Sequence, residues 1–143
     1  MPITGEYEPS TWDWVREQVE EYEASGGARA NTLRDTGLPI IVMTTVGHKS
    51  GKVRKVPLMR VEHEGEYAIV ASKGGAPEHP GWYADIRANP VVTLQDGALK
   101  AVYRAHEARG REREIWWQRA IDAWPIYRED QEATSREIPV IVL

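Results

Sequence analysis

Cysteine is absent from this chain of 143 residues, and so is phenylalanine. Without cysteine the chain has no disulfide bond, no thiolate metal ligand and no cysteine nucleophile. No apolar run approaches the ~20 residues that a membrane-spanning helix needs. The first residues lack the basic start and apolar core of a secretory signal. From these absences we expect a cytoplasmic protein.

The length and composition indicate one globular domain, which we place at 1–143. A chain of this length buries a single hydrophobic core, and the sequence contains no internal repeat, low-complexity tract or linker. Six tryptophans and six tyrosines supply all of its aromatic surface. We expect Trp116, Trp117 and Trp124 to pack in the core. The histidines stand at no metal-ligand spacing from carboxylates, so no metal site is predicted.

Acidic residues are missing from one stretch of an otherwise acidic chain. The formal net charge is -4, yet no Asp or Glu occurs between Asp35 and Glu62. The basic residues in that stretch are Lys49, Lys52, Arg54, Lys55 and Arg60. A nucleic-acid-binding protein usually spreads positive charge over a face. Charge concentrated in one segment suits a small polyanionic ligand better.

Hydrophobic periodicity and turn residues predict three helices and about six mostly antiparallel strands. The first helix is amphipathic, covers 10–24, begins at Ser10 as its cap, and carries Trp12, Val19 and Tyr22 on its apolar face. The other predicted elements are helices over 80–88 and 111–123, and strands over 38–46, 53–61, 67–72, 91–95, 99–108 and 138–143. Close, hairpin-linked strands indicate an antiparallel sheet that closes as a small barrel, so the predicted fold class is α+β.

The turn in "TTVGHKSGKVRKVPL" (44–58) has the residue types of an anion site. Gly47 and Gly51 allow backbone amides to approach an anion, and Ser50 offers a hydroxyl. Arginine matches phosphate or carboxylate oxygens in a fork, while lysine acts as a point charge. The spacing is not that of a P-loop or a dinucleotide fingerprint. A solvated basic hairpin that binds nothing remains the alternative.

The segment "ASKGGAPEHPGWY" (71–83) offers bare backbone to a flat ligand. Its two glycines have no side chain in the way, Lys73 adds a cation, and Trp82 or Tyr83 can pack a ring. The alternative is a flexible connection followed by a helix whose tryptophan belongs to the core.

These two segments and the tail "TSREIPVIVL" (134–143) together resemble the deazaflavin-dependent nitroreductase family of actinobacteria, a group of split β-barrel flavin and deazaflavin oxidoreductases. The resemblance implies a split β-barrel with an N-terminal helix and two further helices. It also implies coenzyme F420, an 8-hydroxy-5-deazaflavin, and hydride transfer to a small electron-poor acceptor such as a quinone, a nitroaromatic or an enone-type lactone. FMN is the second choice of cofactor.

The resemblance also implies which residues contact the coenzyme. The phosphate and anionic tail would lie against the basic turn, and the ring along the glycine-rich segment, with Trp82 helping to hold the pocket. The implied cofactor residues are His48, Lys49, Ser50, Gly51, Arg54, Pro57, Ala71, Ser72, Lys73, Gly74, Gly75, Ala76 and Trp82. His48 stands where the family usually has arginine, which would make anion binding weaker or dependent on pH. Asp85 replaces a common asparagine, and we expect its role to be structural.

The acceptor side follows the same resemblance. Ser72 and Tyr127 are the candidate catalytic donors, because each could stabilise the negative charge that develops on the acceptor. The implied substrate-binding residues are Met59, Trp124, Tyr127 and Asp130. Tyrosine often stands at position 130 in the family, and some members have an aromatic residue at position 59, so both positions depart from the pattern.

Two alternatives to a reductase stay open. The protein could bind F420 or a lipid-like molecule for carriage, without turnover, or the same barrel could hold FMN or haem. The predicted partner is a small-molecule acceptor, without nucleic acid, and pairing into a homodimer is an option for such barrels. The N-terminal helix could act as a lid. Its acidic polar face allows at most weak peripheral contact with a membrane.

Overall fold

The computed structural model describes residue 3 and residues 5–143, and that part of the chain contains four α-helices and eight β-strands. The helices are α1 (Asp13–Ala24), α2 (Gly81–Ala88), α3 (Gly110–Ala123) and α4 (Ile126–Glu132). The strands are β1 (Ile40–Val46), β2 (Val53–Met59), β3 (Glu62–His63), β4 (Glu66–Val70), β5 (Val91–Asp96), β6 (Leu99–Arg104), β7 (His106–Glu107) and β8 (Val140–Val142).

The strands form two antiparallel sheets of four, in the orders β2-β1-β5-β6 and β3-β4-β8-β7. Two half-barrel sheets covered by helices make an α+β split barrel, so the predicted fold class is confirmed. No helix in the described residues is both long and apolar enough to cross a membrane.

Strand β1 is central because both of its faces are covered. Ile40 and Val42 face a cluster that includes the buried residues of α1, whereas Ile41 and Met43 face a cluster that includes residues of α2. Alternate side chains of a strand point to opposite faces, so the apolar run of β1 supplies both clusters. Strand β1 pairs with β2 along its whole length, from Ile40 opposite Met59 to Val46 opposite Val53, which fixes the position of the turn between them.

Helix α1 is fastened to the hairpin between β5 and β6. The hydroxyl of Tyr22, which is 1% exposed, accepts a hydrogen bond from the backbone N–H of Gly97 at 2.6 Å and donates one to the carbonyl of Gln95 at 3.2 Å. Just after the helix, a Cβ atom added to Gly27 would lie 2.4 Å from the Cα of Gly97. Only glycine fits such a close backbone approach, so this contact sets where α1 lies.

The beginning of α1 differs from the prediction. The helix starts at Asp13, and the Ser10 hydroxyl accepts a hydrogen bond from the N–H of Trp12 at 3.2 Å, outside the helix. Asp13 pairs with Arg16 at 2.8 Å. The predicted Ser10 cap is therefore wrong, since a hydroxyl that turns the chain two residues earlier cannot also serve the first turn. Trp12 is 66% exposed and does not join the apolar face of the helix.

Helix α4 is not predicted from the sequence. Its seven residues, IYREDQE, include four charged side chains and have no apolar repeat of helical period. The helix starts directly after Pro125 and buries only Tyr127 and Asp130. Strands β3 and β7, of two residues each, are likewise too short for a period of two to be recognised.

We expect Tyr22→Phe to lower the free energy of unfolding by ~1–3 kcal/mol, because it leaves the half-buried N–H of Gly97 without its acceptor. Urea unfolding followed by circular dichroism measures this change. Tyr103→Phe is the matched control, since the ring of Tyr103 packs on Tyr67 and no hydrogen bond of its hydroxyl is found in the described residues. Equal losses in the two variants would contradict the role of the Tyr22 hydroxyl.

Candidate functional site

A cavity of ≈ 720 Å³ opens beside the turn between β1 and β2. One wall is the segment that enters α1, including Trp12, Trp14 and Val15, and another is the start of α2, including Trp82. The turn itself forms the third wall, with Gly47, His48, Lys49 and Ser50. The cavity thus joins an aromatic side to a basic rim, as a ligand with a flat part and an anionic part would require.

The turn is held by its own backbone. The N–H of Gly47 donates to the carbonyl of Lys52 at 2.8 Å, and the N–H of Gly51 donates to the carbonyl of Gly47 at 2.9 Å. A Cβ atom at position 47 would lie 2.8 Å from the Ser50 hydroxyl oxygen, so only glycine lets that hydroxyl fold over the turn. Gly51 has a φ of 71°, a left-handed conformation that favours glycine.

Acidic residues from distant parts of the chain compensate much of the basic stretch. Arg54 pairs with Glu8 at 3.3 Å, Lys55 with Glu23 at 2.7 Å, and Arg60 with Asp96 at 2.9 Å. The lack of local acids in the sequence therefore overstates the free positive charge. Within the described residues no ion pair involves Lys49 or Lys52, which stand on either side of Ser50 and Gly51.

His48 and Asp85, the two residues noted as departures in the sequence, are bonded to each other. One carboxylate oxygen of Asp85 accepts the backbone N–H of His48 at 2.9 Å and lies 2.6 Å from Nδ1 of its ring. A carboxylate only accepts, so the hydrogen is on Nδ1 and the ring orientation is fixed. Asp85 therefore links α2 to the basic turn by these two hydrogen bonds, which is a structural role.

Thr45 is a cavity residue that the sequence analysis missed. Its hydroxyl oxygen is buried, has no hydrogen-bond partner in the described residues, and belongs to a residue that lines the cavity. A buried hydroxyl without a partner costs free energy that a bound polar ligand can recover. The alternation of β1 could have pointed to it, because Thr45 follows Ile41 and Met43 on one face.

The glycine-rich segment forms a tight loop outside this cavity. Lys73, Gly74 and Gly75 are all left-handed, with φ of 48°, 64° and 82°. A Cβ atom at position 75 would lie 2.7 Å from the carbonyl oxygen of Asp130, so the loop packs directly on α4. Lys73 pairs with Glu78 at 3.0 Å. Trp82, seven residues further along than Gly75, connects the loop to the cavity wall.

Arg136, in the tail before β8, bonds to the backbone of the loop. Its guanidinium donates to the carbonyl of Ala71 at 3.2 Å, to that of Ser72 at 2.7 Å and to that of Ala76 at 2.9 Å. It also lies 2.9 Å from Nδ1 of His79. Burial, and after it the charge of Arg136, lowers the pKa of His79, which keeps that nitrogen available as an acceptor.

The residues predicted for the acceptor side lie mostly in the core. Met59 and Tyr127 are buried in the cluster against which Trp124 packs, and Trp116 and Trp117 belong to the same cluster, as expected. Pro57 lies within β2, half-buried and opposite Val42. None of these residues lines the cavity beside the basic turn. Burial, followed by the charge of Asp130, raises the pKa of Tyr127 far above its ordinary value.

Ser72 and Asp130 meet between the loop and α4. Both are buried, at 8% and 9% exposure. Burial raises the pKa of Asp130, and the hydrogen bond from Ser72 opposes this rise. The structure thus places Ser72 and Tyr127 near Asp130. Of the residues predicted to contact the phosphate, His48, Lys49, Ser50 and Arg54 line the cavity and Gly51 does not. In the described residues no three His, Cys, Asp or Glu side chains cluster as a metal site would need.

Comparison with known proteins identifies the family of the chain. Residues 14–143 match the family described as F420H(2)-dependent quinone reductase. The chain belongs to this family. It is 33% identical over 113 residues to an F420H(2)-dependent quinone reductase of Mycobacterium tuberculosis, covering 73% of this chain and 72% of that protein.

Comparison with solved structures supports the split-barrel fold. An F420-H2 dependent reductase is 54% identical, has a TM-score of 0.70, and covers 73% of this chain and 92% of its own. A domain-swapped dimer is 50% identical with a TM-score of 0.72, covering 93% of this chain and 98% of its own. A heme binding protein from Mycobacterium smegmatis, at 13% identity and a TM-score of 0.58, covers 85% of this chain and 49% of its own, and shares the fold alone.

We expect Asp130→Asn to stabilise the protein at pH 7 by on the order of 1 kcal/mol. The raised pKa means that the protonated carboxyl favours the fold; this contribution is complete below the ordinary value of 3.8 and is lost as the pH rises through the folded value. The unfolding free energies of variant and wild type should therefore diverge as the pH rises above 3.8. Glu132→Gln, an exposed change in the same helix, is the control, and parallel profiles for wild type and Asp130→Asn would contradict the shift.

Proposed function

We propose that this protein transfers a hydride from reduced F420 to a small electron-poor acceptor, with quinones as the first class to test. Membership of the F420H(2)-dependent quinone reductase family supports the coenzyme and the type of reaction. A carrier of F420 without turnover is the second candidate, because the acceptor-side residues Met59 and Asp130 are buried. Nitroaromatics and enone-type lactones are further acceptor classes with the same electronic character.

The observation that carries the proposal is the combination at the cavity of ≈ 720 Å³. Lys49 lines the cavity and Lys52 lies in the same turn, and no described acidic residue pairs with either lysine. The hydroxyl of Thr45 lies buried in the same wall without a partner. These residues fit a phosphate group and an anionic tail, which take point charges, backbone N–H groups and hydroxyl donors. Ser50 adds its hydroxyl, and Arg54 adds a charge that it shares with Glu8. Gly51 contributes the left-handed bend of the turn, because its own N–H is already bonded to the carbonyl of Gly47.

For the ring of the coenzyme we propose the 71–76 loop together with Trp82. At Gly74 the loop presents exposed bare backbone, because the residue is left-handed and nothing lies within 4 Å of the place where a Cβ atom would stand. When bound, reduced F420 supplies the hydride, and the protein supplies placement and electrostatics. Trp82 and the tryptophans at the start of α1 exclude water from the cavity, which strengthens polar contacts made there.

For the charge that develops on the acceptor we propose Ser72 and Tyr127 as donors. Both lie next to Asp130, and the raised pKa of Tyr127 keeps its hydroxyl protonated throughout the physiological range. Trp124 and Met59 would shape the apolar side of this region. In this proposal the start of α1 acts as a lid, since Trp12, Trp14 and Val15 cover the cavity.

A homodimer is part of the proposal. A relative of 50% identity is described as a domain-swapped dimer, and here α1 is joined to β1 by a long connection with left-handed residues at Gly26, Gly27 and Gly37. Such a connection could allow α1 to be exchanged between two copies. A cytoplasmic location and at most weak membrane contact remain predictions from the sequence.

Turnover tests the function directly. Purified protein is mixed with reduced F420 and a soluble naphthoquinone, and oxidation is followed at the visible band of the coenzyme, with reduced FMN run in parallel. Protein-dependent oxidation of F420 alone is the expected result. Binding of F420 without turnover across several quinones would favour the carrier, and neither binding nor turnover would refute the proposal.

We expect the double variant Lys49→Ala/Lys52→Ala to bind F420 about tenfold to a hundredfold more weakly, because two charge-assisted contacts to the anionic part are lost. Fluorescence titration of the coenzyme measures the Kd, and the difference should shrink as the salt concentration rises. Lys100→Ala/Arg104→Ala removes the same charge from exposed positions on β6 and should change the Kd little. An unchanged Kd in the first variant would remove the turn as the anion site.

A further inference from the structure

We propose that Arg136 is a positioning residue of the reaction: its guanidinium holds the 71–76 loop in the conformation that receives the ring of the coenzyme. This inference rests on the function proposed above, in particular on the loop as the site of the ring. Arg136 lies in the tail before β8 and bonds to the backbone of the loop, in which Gly74 is exposed.

One planar group ties both ends of the loop. Nη1 and Nη2 of Arg136 donate to the carbonyls of Ala71 and Ser72, where the chain leaves β4, and Nε donates to the carbonyl of Ala76, where the loop ends. Nη1 also lies 2.9 Å from Nδ1 of His79. An arginine fork can satisfy several acceptors in fixed directions, whereas a lysine is a point charge on a flexible stem.

The loop needs such a tie because its backbone is costly. Lys73 is a non-glycine residue with a φ of 48°, and residues in this region cost about 1 kcal/mol or more. Gly74 and Gly75 are also left-handed and lose much conformational freedom on folding. The other backbone bonds of the loop are mostly local, from the N–H of Gly75 to Ser72 and from the N–H of Ala76 to Lys73. Contacts from outside the loop must therefore supply its order.

Arg136 also determines which polar groups of the loop are free. Three loop carbonyls point to the guanidinium, while the N–H groups of Lys73 and Gly74 donate to no described residue. Free N–H groups on a fixed backbone are suited to hold carbonyl or anionic oxygens of a flat ring. In the described residues Arg136 forms no ion pair, so its charge acts on the loop and favours negative charge there.

A purely structural role would give a different result. Arg113 of α3 also holds the tail, because its guanidinium donates to the carbonyl of Ile138 at 2.7 Å. In the described residues Arg113 makes no hydrogen bond or ion pair with the 71–76 loop. If the tail merely needs anchoring, losing Arg113 and losing Arg136 should have similar effects on catalysis. If Arg136 positions the loop, only its loss should affect the ring of the coenzyme.

The experiment compares Arg136→Lys and Arg136→Gln with the control Arg113→Gln. Each protein is titrated with F420 and with the phosphate-free deazaflavin riboside, and is assayed for kcat and KM with a soluble naphthoquinone. Hydrogen exchange of the amides of 72–76 reports on the order of the loop. We expect both Arg136 variants to lose about tenfold or more in kcat and in affinity for the riboside, with faster exchange and a KM for the quinone within about twofold of wild type. Arg113→Gln should keep kcat within about twofold of wild type.

Several results would overturn the inference. Arg136 variants with faster exchange but wild-type kcat and riboside affinity would show that loop order does not matter, and an equal loss in Arg113→Gln would make the role structural. In both cases wild-type turnover leaves the proposed function standing, whereas a wild type that neither binds nor oxidises F420 refutes the function and this inference together. If both Arg136 variants fail to fold, His79→Ala is the substitute, because it removes one exposed contact of Arg136. This variant should lower kcat by a few fold, and an unchanged kcat would refute the positioning role of Arg136.

Discussion

The antiparallel pairing of β1 with β2 is the constraint on which the rest of the structure depends. Seven consecutive pairs fix the turn that contains Gly47 and Gly51 at the end of the hairpin. The alternation of β1 then divides the core, with Val42 toward α1 and Met43 toward α2, and turns Thr45 into the cavity wall. A shift of one residue would exchange these faces and put polar threonines into the core. The cavity is thus a consequence of strand register.

Ion pairs between distant parts of the fold neutralise much of the basic stretch and leave positive charge on the lysines of the turn. Arg54 and Lys55 are paired with acids of the N-terminal segment and α1, and these pairs hold that segment against the turn. Partly exposed pairs of this kind contribute little stability individually. Their effect is positional, because Glu8, Arg54 and Lys55 all line the cavity and the pairs fix where these side chains lie. Asp85 works similarly, because its carboxylate orients His48.

The sequence predicts the barrel and the basic turn because both depend on local patterns. Apolar strands of period two, the Asp96–Gly97 hairpin and glycines within a charged run can be recognised without knowing what lies nearby. Contacts between residues distant in the sequence cannot be recognised in this way. Several of these contacts join residues more than thirty positions apart in the sequence. They are the ion pairs of Arg54 and Lys55, the bond between His48 and Asp85, and the bonds from Arg136 to the loop. Helix α4 was missed because its position is set by packing on the loop at Gly75.

The most direct test of the central claim is to map F420 onto the protein by amide chemical shifts in NMR. The account predicts that the coenzyme shifts two separate groups of amides: Thr45 and the 47–52 turn for the anionic part, and the 71–76 loop with the Trp82 indole for the ring. Shifts confined to the second cavity, of ≈ 280 Å³ beside Glu23 and Lys100, would contradict the account. Shifts at the turn alone would retain the anion site and refute the placement of the ring.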